Sequence, residues 1–225
     1  MVLLKDKLHG HRLLLASRSP RRRELLAGAG LAFELADSYD VEETYPPGLP
    51  AEEVPGYLAV LKSEAYPHAL GVGDILITAD TVVICGGRIF GKPDGREGAA
   101  AMLAELSGRR HTVVTGVALR APGRMRSFSV SSDVWFRPLA EEEIAYYVDT
   151  FRPYDKAGSY GIQEWIGYVA IERIGGCRCR RSMPNWGVSS IRCERHVFSR
   201  LPAGCGKLRT DTECGFIHRI IAITL

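Results

Sequence analysis

Ser17-Arg18-Ser19-Pro20-Arg21-Arg22-Arg23 sets two hydroxyls and four arginines around a single turn of chain. Guanidinium forks match the oxygens of phosphate, and the free N–H groups at a helix start favour negative charge, so the cluster suits a polyanion. A merely solvated basic turn is the plainer alternative, but arginine there opposes the helix dipole. No Gly-x-x-x-x-Gly-Lys-Ser/Thr string occurs, which excludes a P-loop. Asp80-Thr81 stands inside an otherwise apolar, β-branched run, where a carboxylate costs free energy unless it is paired, hydrated or metal-bound. A carboxylate that accepts turn hydrogen bonds is the bland reading of the same residue. Lys92, in Gly91-Lys92-Pro93, is either an exposed loop lysine or an anion ligand.

These groups need elements to hold them. Leu13-Leu14-Leu15-Ala16 reads as a buried strand, followed at once by a helix with Ser19 at its N-cap, Pro20 in its first position and Gly28 or Gly30 at its end. A short strand near Phe33–Ala36 and a Pro-rich stretch lead to a helix over about 52–66, with Pro55 in its first turn and Pro67 as its stop. Residues 74–85 read as a strand interrupted at Asp80-Thr81, with Gly86-Gly87 turning into Arg88-Ile89-Phe90. Asp94 is placed to cap a helix through Leu106, closed by Gly108. Strands over about 111–120 and 127–136, a helix over 140–148, a loop over 155–163 and a strand over 168–174 follow. The alternation predicts a mixed α/β sheet.

At 225 residues, with 24% charged and 46% hydrophobic residues, the chain has the composition of a globular protein with a sizeable core. No apolar run is long enough to span a bilayer, and the charges in the first 17 residues break any signal-peptide core, so a cytoplasmic location is expected. The net charge of +3 hides a break after Gly176. Residues 1–176 hold 20 basic and 23 acidic side chains, a net of −3, whereas 177–225 hold 9 and 3, a net of +6, together with five of the six cysteines. A basic tail can bind nucleic acid, but no recognition module or interleaved aromatics accompany it.

The strings LASRSPRRRELL at 15–26, ADTVV at 79–83, GKP at 91–93, LSGRRHTVVTGVAL at 106–119 and DKAGSYGIQ at 155–163 stand in one order. In that order and spacing the chain resembles the Maf family of nucleotide pyrophosphatases, also called septum-formation inhibitors, from about Leu13 to Ile174. The resemblance implies an α/β fold with a mixed twisted sheet, flanking helices and a central cleft. It also implies hydrolysis of a nucleoside triphosphate between the α and β phosphates, with a divalent cation, Mg²⁺ or Mn²⁺. Asp80 matches the catalytic carboxylate. Lys62 and Lys92 match lysines that neutralise the triphosphate, Ser17, Arg21 and Arg22 match the substrate-binding turn, and Glu43 matches an acidic position that would hold metal with Asp80. Thr81 and Gln163, with Arg21, match the branch acting on dTTP and UTP, and a glutamine amide can pair with the amide edge of those bases. The implied partners are the nucleoside triphosphate and, optionally, a second copy of the chain in a homodimer, with no membrane and no nucleic acid. A non-hydrolysing regulator of cell division is the alternative reading.

The resemblance stops at the composition break. A domain over 1–176 is expected, with 177–225 an atypical Cys/Arg-rich tail, disordered or frame-altered, that takes no part in the chemistry. Cys177, Cys179, Cys193, His196, Cys205, Cys214 and His218 include no Cys-x-x-Cys pair, which counts against a zinc site. Cys85, within a strand, reads as a small core residue.

Overall fold

The computed structural model describes residues 4–182 and 191–192. After helix α1 (Leu4–Lys7) comes strand β1 (Arg12–Leu15), whose three leucines are buried, and then helix α2 (Pro20–Gly28). β2 (Glu34–Leu35), α3 (Val54–Glu64), β3 (Asp74–Cys85), β4 (Arg88–Phe90) and α4 (Gly95–Leu106) follow. The second half holds β5 (Arg110–Ala121), β6 (Arg124–Phe136), α5 (Glu141–Phe151), a 3-10 turn at Ala157–Ser159, α6 (Trp165–Val169), β7 (Ile171–Ser182) and β8 (Ile191–Arg192). The strands form one mixed sheet in the order β2-β1-β3-β5-β6-β7-β8, with β4 also paired to β3. β1 runs parallel to β2 and β3, and the other pairings are antiparallel. Among the described residues no helix is long and apolar enough to cross a membrane.

The expected interruption of the strand at Asp80-Thr81 is not there. β3 runs unbroken, paired to β5 from Leu76 to Ile84. The gap lies in its neighbours on the other edge, because β1 covers only residues 74–77 of β3 and β4 only 83–85. Residues 78–82 therefore have a continuous strand on one side and an open edge on the other. The polar pair occupies that opening, where a charged side chain escapes full desolvation.

Strand pleating sends alternate side chains to opposite faces. Thr78, Asp80, Val82 and Ile84 face α3: Thr78 Oγ1 donates to the Ala59 carbonyl at 2.7 Å, and Val82 and Ile84 pack with Val54 and Leu58. Ile75, Ile77, Val83 and Cys85 face the other side, against the clusters built on α2 and on α4 with α5. Cys85 is buried there as expected. Gly116 is the register partner of Asp80 on the α3 face. A Cβ at Gly116 would lie 2.3 Å from the Pro55 carbonyl and the Gly56 nitrogen, so only glycine lets the start of α3 come this close to the sheet.

The remaining differences are local. Ser19 and Asp94 occupy N-cap positions, but neither side chain makes a capping bond. Tyr168, expected in a strand, is in α6, and β7 begins at Ile171. Tyr-Val-Ala-Ile has strand-forming residues, yet local helical bonds close the turn, the Gly167 amide donating to the Glu164 carbonyl and the Ala170 amide to the Ile166 carbonyl, each at 2.9 Å. β7 also continues past residue 176 to Ser182, because the long β6 supplies backbone partners as far as Ser127 whatever the side chains. Cys193, His196, Cys205, Cys214 and His218 of the tail, weighed and disfavoured above as zinc ligands, lie outside the described residues.

His111 sits in the larger core at 1% exposure, edge-on to Phe136 and Tyr160, with its Nε2 2.8 Å from the Tyr160 hydroxyl. Burial lowers its pKa from 6.5 to about 4. The unfolded chain therefore takes up this proton first, so the contribution to stability is complete above about pH 6.5 and is lost as pH falls toward 4. The shift corresponds to about 3 kcal/mol. Denaturant titrations at pH 7 and pH 4.5 should show that loss, and His111→Gln, which does not titrate, should flatten it. An equally steep loss in the variant would assign the acid sensitivity elsewhere.

Candidate active site

The open edge of β3 is the floor of a cleft of about 740 Å³, within the range of small-molecule sites. Its walls come from the β1–α2 turn, the segment over 35–45, α3, the Gly91-Lys92 corner after β4, and the 155–160 loop. Ser17, Arg21, Arg22, Glu43, Lys62, Asp80, Thr81 and Lys92 all line it, although they are spread over some 75 residues of sequence.

Asp80 and Lys62 form the centre. Lys62 Nζ donates to Asp80 Oδ1 at 2.7 Å and lies 3.0 Å from Glu43 Oε1. The lysine and aspartate side chains are only 17% and 12% exposed. The pair is made possible by the close seating of α3 at Gly116. Two carboxylates thus converge on one cationic nitrogen, and their oxygens are the hard donors that suit Mg²⁺ or Mn²⁺ when substrate phosphates and water complete the shell. No group of three or more His, Cys, Asp and Glu that could hold a metal ion occurs among the described residues.

The arginines after Pro20 divide into two environments. Arg21 Nη1 donates to Asp155 Oδ2 at 3.0 Å across the cleft. Arg22 instead turns inward, donating to the Ser17 hydroxyl at 3.1 Å, the Ala79 carbonyl at 2.9 Å and the Thr81 hydroxyl at 3.2 Å. Burial lowers the pKa of the Arg22 guanidinium, and the nearby Asp80 charge opposes that shift. Arg22 therefore substitutes for the missing strand at the open edge by bonding the Ala79 carbonyl, and it holds a positive charge behind Asp80. Thr81 faces the opposite side from Asp80, with its hydroxyl also 3.0 Å from that of Thr115.

Lys92 is exposed at the rim and makes no hydrogen bond or ion pair among the described residues, so its ammonium is available to an anion. Gly158 brings the 155–160 loop beside it: the Gly158 amide donates to the Gly91 carbonyl at 3.0 Å, and φ at Gly158 is +67°. Gln163 is exposed and does not line the cleft. Asp155 and Lys156, which do line it, belong to the DKAGSYGIQ string but were given no role from sequence. Tyr39, another wall residue, bonds the Lys62 carbonyl at 2.6 Å and anchors the end of α3.

An open-edged mixed sheet with a helix N-terminus, two carboxylates bridged by Lys62 and further cations on the walls defines an α/β protein with a cleft suited to a polyanion. The family model for Maf, Maf-like protein, matches residues 12–179, and the chain belongs to that family. It is 55% identical over 173 residues to a dTTP/UTP pyrophosphatase of Porphyromonas gingivalis, covering 76% of this chain and 87% of that protein. It is 48% identical over 169 residues to a dTTP/UTP pyrophosphatase of Bacteroides thetaiotaomicron, covering 75% and 88%. The same name is carried by a protein of Flavobacterium johnsoniae that is 40% identical over 174 residues, covering 77% and 89%.

Proposed function

We propose that this protein is a nucleoside triphosphate pyrophosphatase that hydrolyses dTTP and UTP to the monophosphate and pyrophosphate. The observation that carries the reading is the convergence of Arg21, Lys62 and Lys92 around Asp80 at an open strand edge, in a chain about half identical to pyrophosphatases of that name. Arg21 and Lys92 bind the triphosphate, and Lys62 offsets charge that builds as the bond breaks. Asp80 accepts the proton of the attacking water as the oxygen–Pα bond forms and the bond from Pα to the bridging oxygen breaks, with pyrophosphate leaving. Glu43 and Asp80 would hold a divalent cation, which when bound neutralises phosphate charge. Arg22 acts from behind, keeping Ser17 and the edge of β3 in place.

Selectivity is assigned to Arg21, Thr81 and Gln163. Thr81 acts by shape and through Arg22, because its hydroxyl is already bonded. Gln163 does not line the cleft, so its part in selectivity rests on its match to the family pattern. The reading puts the protein in the cytoplasm, where its substrates are made, and a homodimer is part of the proposal.

The test is a screen of canonical and modified nucleoside triphosphates with Mg²⁺ or Mn²⁺, with pyrophosphate and orthophosphate read separately. Pyrophosphate as first product, with dTTP and UTP ahead of ATP and GTP, is expected. Orthophosphate as first product overturns the bond assignment, and binding without turnover favours a regulator.

A further inference from the structure

The 155–164 segment is fastened by a chain of polar contacts that runs from the cleft wall at Asp155 and Lys156 to Glu164 and Tyr147, which do not line the cleft. Asp155 holds Arg21 with one oxygen and accepts from Lys156 Nζ at 2.9 Å with the other. Lys156 is 7% exposed and also pairs with Glu164 Oε1 at 3.0 Å. The second Glu164 oxygen accepts from the Tyr147 hydroxyl, which in turn accepts from the Gly161 amide at 3.2 Å. Tyr147 is fully buried, and burial and the Glu164 carboxylate together raise its pKa, so it stays a donor. Asp155 remains ionised: burial would raise its pKa, but Lys156 and Arg21 outweigh it and the net shift is downward.

The physical consequence reaches Arg21. An exposed ion pair between mobile side chains contributes little, because ordering both partners costs entropy. Here one partner is ordered beforehand, since Asp155 is fixed by a buried lysine that is itself fixed by Glu164. One Arg21 N–H is spent on Asp155, and the other donors of the fork are left for phosphate oxygens. Gln163 adjoins Glu164 in the chain, so the same fastening bears on where Gln163 is held.

We propose that Glu164 is a positioning residue for the triphosphate, acting through Lys156 and Asp155 on Arg21. The proposal rests on the pyrophosphatase reading for its ligand.

A double-mutant cycle of Arg21→Ala and Glu164→Gln tests it, with two readouts: affinity for the non-hydrolysable α,β-imido-dTTP, and kcat and KM for dTTP. Arg21→Ala should weaken the analogue by roughly 10–100-fold. Glu164→Gln alone should weaken it by about 10-fold, raise KM more than it lowers kcat, and reduce the preference for dTTP over ATP. The double variant should bind within about twofold of Arg21→Ala, since an effect exerted through Arg21 disappears with it. Independent, multiplying losses overturn the proposal, as does a Glu164→Gln protein that binds and selects normally. If Glu164→Gln does not fold, Tyr147→Phe takes its place in the cycle under the same criterion. Wild-type protein that binds the analogue without cleaving dTTP would sink the pyrophosphatase reading, and the affinity cycle would still decide the role of Glu164.

Discussion

Asp80→Asn is expected to lower turnover of dTTP by about 10²–10⁴-fold, the usual weight of a positioned general base. The substitution keeps the side-chain volume and an oxygen for the 2.7 Å bond from Lys62, but removes the basic site. Lys62 keeps Glu43 as an ionic partner, so the variant should stay folded. The effect should fall on kcat, while affinity for α,β-imido-dTTP holds or rises as a negative charge leaves the cleft. A folded Asp80→Asn protein with near-normal kcat would take Asp80 out of the proton-transfer role.

Gly116→Ala should damage stability and activity together without touching a polar group. Its methyl group would fall 2.3 Å from backbone atoms of Pro55 and Gly56, and backbone at a helix start cannot swing aside as a side chain can. Overpacking typically costs 1–3 kcal/mol, and at this distance about 3 kcal/mol is reasonable, a fall in Tm of roughly 5–10 °C for a domain of this size. The strain is relieved by moving α3 off the sheet, which draws Lys62 away from Asp80. Thermal unfolding and kcat/KM measured on the same preparation check both halves. An unchanged Tm would mean that α3 can back away without cost, and normal kcat/KM at a lowered Tm would uncouple the helix seat from the site.

The amino-acid sequence by itself determined most of the elements and singled out most of the polar groups that the fold gathers at the cleft. Leucines at 13–15 followed by Ser-x-Ser-Pro can hardly form anything but a buried strand running into a helix, because apolar content and proline's fixed φ act over a few residues. The Gly86-Gly87 hairpin and the β-branched run at 74–85 are equally local. Asp80 stood out because a lone carboxylate in such a run demands a partner. Only the tertiary structure decided what surrounded these groups. Nothing local to Asp80-Thr81 says that β3 continues while β1 and β4 stop short beside it, since that gap is a property of neighbouring strands. Arg21 and Arg22 are chemically identical in the sequence and both line the cleft, yet one pairs with Asp155 across it and the other bonds the open edge of β3, a choice made by which partners lie within reach. The seat of α3 depends on Gly116, more than 50 residues beyond Lys62. The Asp155–Lys156–Glu164–Tyr147 fastening joins a loop to α5 through buried charge. Its residues are ordinary polar side chains until folding removes water from around them and leaves only one another as partners.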